Sequence, residues 1–354
     1  MEIAPVSSWN EWDPLEEIIV GTARGAADIG YEPALARYFP PGSDGRTFTG
    51  ARVIGELQDA AERQLDELAM LLVDRGIVVR RPEPIDYGVQ FASPDWRCGA
   101  GRAGACPRDT LLVVGDAIIE ANMGQRARFF EYRAYRRLVT EYFHRGARWV
   151  AAPKPVLADT LYDGFSEGAT LLGNGEPVFD AACFVRMGRD IFWQPDMVSN
   201  AAGAAWLARA LGPDIRIHTI RFAEEAPLHI DTTLVPIRPG LALFNPERPC
   251  IDSGFALFAD NGWQLVPAPR SVRSAPPRPG GVSNWISMNL LMLDPRTAMV
   301  EAAEKPTIAL LESLGCTVIP VAFDQVYGFG GGLHCCTLDI RRSGRLESWF
   351  PLLD

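Results

Sequence analysis

The residues best equipped for chemistry in this 354-residue chain gather around a thiol that follows three glycines, in Gly330-Gly331-Gly332-Leu333-His334-Cys335-Cys336. A triple glycine permits close backbone approach and unusual φ, which suits a nucleophile presented at a crowded centre. A thiol attacks only as the thiolate, and a neighbouring imidazolium or a cationic substrate lowers its pKa. Cys335 is therefore a candidate nucleophile and Cys336 its rival. Adjacent strand residues point to opposite faces, so only one of them can line a site. A lone cysteine is more often a small core residue, but the glycines and the histidine argue against that here.

His229, in His229-Ile230-Asp231, is the candidate general acid and base, because imidazole titrates near neutral pH without help. Asp180 would orient it and stabilise its charged form, as the third member of a triad does. Asp109 and Asp231 add negative charge, and converging carboxylates in an apolar surround need a cation. No matching cluster of Lys or Arg stands in these segments, so a substrate guanidinium, planar and rich in donors, is the expected partner. Arg248, in Asn245-Pro246-Glu247-Arg248-Pro249, could grip a substrate carboxylate; the alternative is an arginine on a surface loop. His334 reads as a positioning residue, and His144 and His218 as structural. Adjacent His-Cys-Cys lacks the spacing of zinc ligands, so no metal is expected, and covalent catalysis by a thiol calls for no cofactor.

The elements that must position these residues recur along the chain. Five times an amphipathic helix ends at a glycine (Gly76, Gly146, Gly212, Gly262, Gly315) and a strand rich in β-branched residues follows. The clearest helix spans 54–73, with Ile54, Leu57, Ala61, Leu65, Leu68 and Leu72 on one face. A second is expected over 126–146, and a third over 200–212 with Ser199 as its N-cap. Between repeats lie β-hairpins, expected at 111–114/117–121, 184–187/191–192, 232–237/241–244 and 286–293/298–300. Strand 336–341 has no following partner and strand 17–20 no preceding one. Pairing them would remove both edges. The expected architecture is α/β: one domain over residues 1–354, a five-bladed pseudo-symmetric propeller of ββαβ repeats closed by its terminal strands. An open α/β sheet is the alternative. Asp109, Asp180, His229 with Asp231, Ser283, and His334 with Cys335 all stand just before hairpins, so closure would make them converge.

Bulk composition narrows the classes. With 47% apolar and 22% charged residues the chain reads as a globular enzyme, and a net charge of −10 argues against a nucleic-acid partner. No apolar run approaches membrane-spanning length, the N-terminus lacks a secretory pattern, and seven scattered cysteines form no CxxC pair. A cytoplasmic location is expected. The oligomeric state is open, with a homodimer as the expectation.

The chain resembles the arginine:glycine amidinotransferase family, which includes the inosamine-phosphate enzymes of antibiotic producers. Segments spread almost end to end carry the resemblance. Besides those quoted above they include Asn10-Glu11-Trp12-Asp13-Pro14, Pro107-Arg108-Asp109, Phe130-Glu131-Tyr132-Arg133-Ala134-Tyr135-Arg136 and Pro177-Val178-Phe179-Asp180-Ala181-Ala182. The resemblance implies a propeller in which Cys335 is the nucleophile, His229 the acid and base and Asp180 its partner. Asp109 and Asp231 would hold the guanidinium of L-arginine, and Arg248 and Ser283 its carboxylate. The amidino group would pass through Cys335 to an acceptor amine, releasing L-ornithine. Ala226 and Leu228 ahead of the histidine, Val282 before Ser283, and Cys183 in place of a family acid depart from glycine-specific relatives. They imply an acceptor larger than glycine, an amine of specialised metabolism. The rival readings are a guanidine hydrolase of the arginine deiminase type and a non-catalytic arginine-binding protein of the same fold.

Overall fold

The computed structural model describes residues 4–29, 32–38, 56–166, 171–224, 227–272 and 283–353. Ala226, Val282 and the first two residues of the helix expected from 54 lie outside the described residues.

Four times the chain builds an antiparallel hairpin, a helix, and a third strand parallel to the hairpin's second strand. The first unit is Leu111–Val114, Ala117–Glu120, helix Arg136–His144 and Arg148–Ala151. The second is Phe184–Met187, Asp190–Trp193, helix Ala201–Leu211 and Arg216–Thr219. The third is Leu234–Arg238, Leu241–Phe244, helix Gly254–Asp260 and Gln264–Pro267. The fourth is Leu291–Asp294, Thr297–Glu301, helix Lys305–Ser313 and Thr317–Val321. A fifth sheet joins the ends of the chain. Thr337–Arg342 runs antiparallel to Leu15–Val20, with Ile18 opposite Asp339, and Val78–Arg80 adds in parallel after helix Glu56–Val73. A two-stranded ribbon, Phe91–Ala92 with Arg97–Cys98, stands apart from these units.

Local chemistry explains the punctuation. Gly76, Gly146, Gly212, Gly262 and Gly315 all have φ between 77° and 101°. No neighbour would touch a Cβ at any of the five, so the backbone conformation rather than crowding calls for glycine. In Glu56–Val73, Ala61, Leu65, Leu68 and Leu72 are buried as the spacing demands, whereas Leu57, in the first turn, is half exposed. First strands of the hairpins are almost wholly buried and third strands only partly so, so the apolar runs lie innermost.

Three expected boundaries move. The segment 126–146 forms 3-10 turns at Arg126–Arg128 and Glu131–Tyr135 before its helix begins, and Arg128 and Glu131 both point inward and pair. Asn200, not Ser199, caps the third helix: Asn200 Oδ1 accepts from Gly203 N at 2.9 Å, while the Ser199 hydroxyl is bonded to Asp196 and Trp193. Residues Ile286–Met288 form a 3-10 turn, so the fourth hairpin begins only at Leu291.

A buried ionic cluster ties the first strands together. Arg186 reaches Val113 O at 2.7 Å, Glu11 Oε2 at 2.8 Å and Asp339 Oδ2 at 2.7 Å, and Arg342 reaches Met292 O at 3.0 Å. Four of the five sheets thus meet through two guanidinium groups. Breaking one such buried pair leaves an uncompensated charge, at a cost of about 3–5 kcal/mol.

Candidate active site

At one phase of each unit, just ahead of its first strand, stands a polar or reactive residue. These are Asp109 in the short helix Pro107–Thr110, Asp180 before the turn Ala181–Cys183, Asp231 in the turn Ile230–Thr232, Asn289 after Ile286–Met288, and Cys335. Because the fourth strand starts at Leu291, Asn289 occupies the phase that sequence reading assigned to Ser283. An offset of two residues before the strand, as at Asp109 and Cys335, is the signal that points to it.

The thiol is held on two sides. Cys335 Sγ donates to Asp231 Oδ2 at 2.9 Å and accepts from Asn289 Nδ2 at 3.2 Å, while Asn289 Oδ1 accepts the Cys335 N–H at 3.0 Å. Burial, then the charges of Asp231 and Asp109, push this thiol well above its ordinary pKa. Cys336 faces away, its sulfur 3.8 Å from that of Cys106. Geometry therefore selects Cys335 to line the site.

His229 stands opposite. Its Nε2 is 3.2 Å from Asp180 Oδ2 and its Nδ1 3.8 Å from Asp109 Oδ1. Burial alone would pull the imidazole down, but Asp109, Asp180 and Asp231 outweigh it and raise the group to about 10. The ring is aimed by a backbone that few non-glycine residues adopt, φ 57° and ψ 146°, worth about 1–3 kcal/mol of strain. A bond of 2.9 Å from His229 N to Asp196 Oδ2 holds it there. Cys183, where the resemblance expects an acid, donates to the same Asp196 oxygen at 3.0 Å.

One expectation needs correction. The carboxylates do have a protein cation, because Arg128 is buried among them, 2.8 Å from Asp109 Oδ2, 3.6 Å from Asp180 and 2.7 Å from Glu131. Burial works against its charge, but Glu131, Asp109 and Asp180 more than offset that. It escaped sequence reading because the segment 126–146 reads as one amphipathic helix, which singles out none of its arginines. Even so Asp109 Oδ1 remains buried with no hydrogen-bond partner among the described residues. Such an oxygen costs about 1–3 kcal/mol until a donor reaches it.

His334 bridges two acids, Nδ1 to Asp231 Oδ2 at 3.1 Å and Nε2 to Glu11 Oε2 at 3.3 Å. Burial would raise Asp231, but the His334 bond and charge, with His229 and Cys335, hold it below the usual range. Arg248 and Ser283 do come together. Arg248 Nη2 is 3.1 Å from Ser283 Oγ, and Nη1 reaches the hydroxyls of Thr232 and Thr233, next to Asp231. Leu228 is half-buried and packs against an apolar cluster. His218 bonds Asp190 at 2.7 Å within its sheet.

Donor atoms of Asp109, His229 and Cys335 lie within 4.8 Å of one another. One thiol, one imidazole and one carboxylate form a donor set open to a transition ion, although the imidazole would first have to give up its proton. The arrangement also suits a nucleophile, an acid and a cationic substrate held between carboxylates.

No protein-family profile matches the chain. Individual proteins do. The mitochondrial glycine amidinotransferase of Gallus gallus is 43% identical over 98% of this chain and 85% of its own length. The L-arginine:L-lysine amidinotransferase of Pseudomonas savastanoi pv. phaseolicola is 41% identical over 99% of this chain and 98% of its own. Among solved structures, SxtG, an amidinotransferase of saxitoxin biosynthesis from Microseira wollei, superposes with a TM-score of 0.89. It is 42% identical and covers 98% of this chain and 100% of its own. The fold is that of these proteins, built of mixed α/β sheets. The chain belongs to the amidinotransferase family and is, by that membership, a transferase. No helix among the described residues is long and apolar enough to cross a membrane.

Proposed function

We propose that the chain transfers the amidino group of L-arginine to an acceptor amine through a covalent amidino-cysteine, with release of L-ornithine. One observation carries this reading: a buried thiol and an imidazole meet at a buried carboxylate oxygen that lacks a donor. A guanidinium entering between Asp109 and Asp231 supplies that donor. Its positive charge offsets the anions that keep the Cys335 thiol protonated, so the thiol gives up its proton to water as the cation arrives. The thiolate attacks Cζ. His229, already an imidazolium paired with Asp180, gives its proton to Nε as the Cζ–Nε bond breaks and ornithine leaves. An acceptor amine then attacks the amidino carbon, His229 takes its proton, and the carbon–sulfur bond opens to return the thiolate. Arg248 and Ser283 hold the donor carboxylate, and His334 positions Asp231.

The same reading makes the chain one domain, with the five sheets as blades of a ring. The two guanidinium groups that tie four first strands support that arrangement. The acceptor is larger than glycine; a relative that is an L-arginine:L-lysine amidinotransferase supports that reading. Seven free cysteines favour a reducing compartment such as the cytoplasm.

The test is intact mass after brief incubation with L-arginine alone, quenched in acid, beside Cys335→Ala. A gain of one amidino group with ornithine, absent from the variant, is expected. Steady citrulline without an adduct would turn the reading to a hydrolase. Neither product would mean that arginine is not the donor. With a labelled enzyme in hand, a preference for glycine over every larger amine would sink the acceptor proposal.

A further inference from the structure

The seat assigned to the donor carboxylate is already neutralised. Arg248 Nη2, the nitrogen bonded to Ser283, also lies 2.7 Å from Glu224 Oε1. A substrate carboxylate brought to this guanidinium alone would set two anions against one cation, away from bulk water, and such charge is costly. Glu224 has a second unmet requirement. Its Oε2 is buried and finds no hydrogen-bond partner among the described residues. The amide of Gln194, 1% exposed, is likewise without one at either end. The Gln194 amide lies close enough to the Glu224 carboxylate to favour its charged form. Burial raises Glu224 to about 7 against the opposing pull of Arg248. Once a substrate carboxylate is seated, the surplus anion, the free lone pair on Glu224 Oε2 and the carbonyl oxygen of Gln194 all ask for the same thing, a compact cation rich in N–H donors.

From this geometry we infer that Glu224, with Gln194 beside it, receives the α-ammonium of the donor. Arg248, Ser283 and Glu224 then read the zwitterionic head of an α-amino acid, not a carboxylate alone. The covalent structure of such a head fits. The ammonium nitrogen is two bonds of about 1.5 Å from the carboxylate carbon. A carboxylate seated on Arg248 Nη2 therefore brings its ammonium to the acid that already shares that nitrogen. The head enters with no net charge, so the balance between Arg248 and Glu224 is preserved, and the guanidinium at the far end is left to Asp109 and Asp231. Sequence reading missed Glu224 because nothing local distinguishes it from its neighbour Glu225; only the fold sets it against Arg248.

The inference rests on the proposed donor reading, and one comparison separates the two. Labelling of Cys335 is followed by intact mass at low concentrations of L-arginine and of 5-guanidinopentanoate, which keeps the guanidinium, chain and carboxylate but lacks the α-ammonium. The wild-type protein is expected to label with L-arginine roughly ten- to a hundredfold more efficiently, the range of a charge-assisted hydrogen bond. Glu224→Gln should lose most of that preference by slowing L-arginine alone, while the deaminated compound labels at or above the wild-type rate and so reports an intact site. Glu224→Asp, which keeps the charge, should retain a preference. Wild-type labelling by both compounds within about twofold would overturn the inference. So would equal slowing of both in Glu224→Gln, or loss of both in the two variants. If L-arginine fails to label the wild-type protein at all, the donor reading fails instead.

Discussion

Removing the side chain of Asn289 tests the least expected contact in the site. In Asn289→Ala the Cys335 sulfur loses its N–H donor at 3.2 Å, and the Cys335 N–H loses its acceptor at 3.0 Å. Both partners are buried. A hydrogen bond to a charged group is worth about 1.5–3 kcal/mol, and one pKa unit corresponds to about 1.36 kcal/mol. If the amide supports the thiolate, the thiol pKa should rise by roughly one to two units, and labelling by L-arginine at fixed neutral pH should slow about ten- to a hundredfold. The assay is the pH profile of iodoacetamide alkylation, resolved at Cys335 by peptide mass because the chain carries seven cysteines. A stability loss of about 1–3 kcal/mol, from the orphaned N–H, should appear separately in a urea midpoint. Gly332→Ala should act in the same direction, because its Cβ would come within 2.8 Å of Asn289 Oδ1 and displace the amide. An alkylation profile and a labelling rate that superpose on the wild type would refute a chemical role and leave Asn289 a structural residue.

Three further outcomes follow from the electrostatics. Asp231→Asn removes the acid that does most, after burial, to keep the Cys335 thiol protonated, so alkylation of Cys335 at pH 8 should quicken while labelling by L-arginine slows. A fall in both rates would contradict the charge argument. His229 is raised from 6.5 to about 10 in the folded protein, so its contribution to stability is complete below pH 6.5 and is lost as pH rises towards 10. His229→Gln should therefore flatten the decline of the urea midpoint across that window, and an unchanged slope would show that the imidazole is neutral at rest. Arg128→Met leaves Asp109, Glu131 and Asp180 without their shared cation. It should cost about 3–5 kcal/mol in urea unfolding and abolish labelling, and a variant of wild-type stability would rule out the pairing.

Much of the fold was legible because its signals are local. Helices ending at Gly76, Gly146, Gly212, Gly262 and Gly315, and hairpins at Gly115-Asp116 and Gly240, follow from side-chain period and from backbone conformations that glycine adopts without cost. The pairing of Leu15–Val20 with Thr337–Arg342 followed from two strands left over at the ends. Boundaries went astray where tertiary contacts overrode local preference. The segment beginning at Arg126 gives up its first helical turns and sends Arg128 and Glu131 inward. The stretch Ile286–Met288 coils into a 3-10 turn, which moved the fourth unit's key position from Ser283 to Asn289.

By itself the sequence determined which residue types are available and where they recur: Cys335 after its glycines, His229 beside Asp231, Asp109 and Asp180 ahead of strands. Those facts are properties of order and spacing along the chain. Only the tertiary structure decided which groups share charge and where protons sit. Asn289 lies 46 positions from Cys335, and Asp180 lies 49 from His229, yet each pair is in direct contact. Hydrogen bonding, desolvation and Coulomb interactions act over a few ångströms of space and carry no mark in local sequence. For that reason the protonated state of the thiol, the charged state of the imidazole, and the meeting of Arg128 with Asp109 and of Glu224 with Arg248 emerge only when the chain is folded.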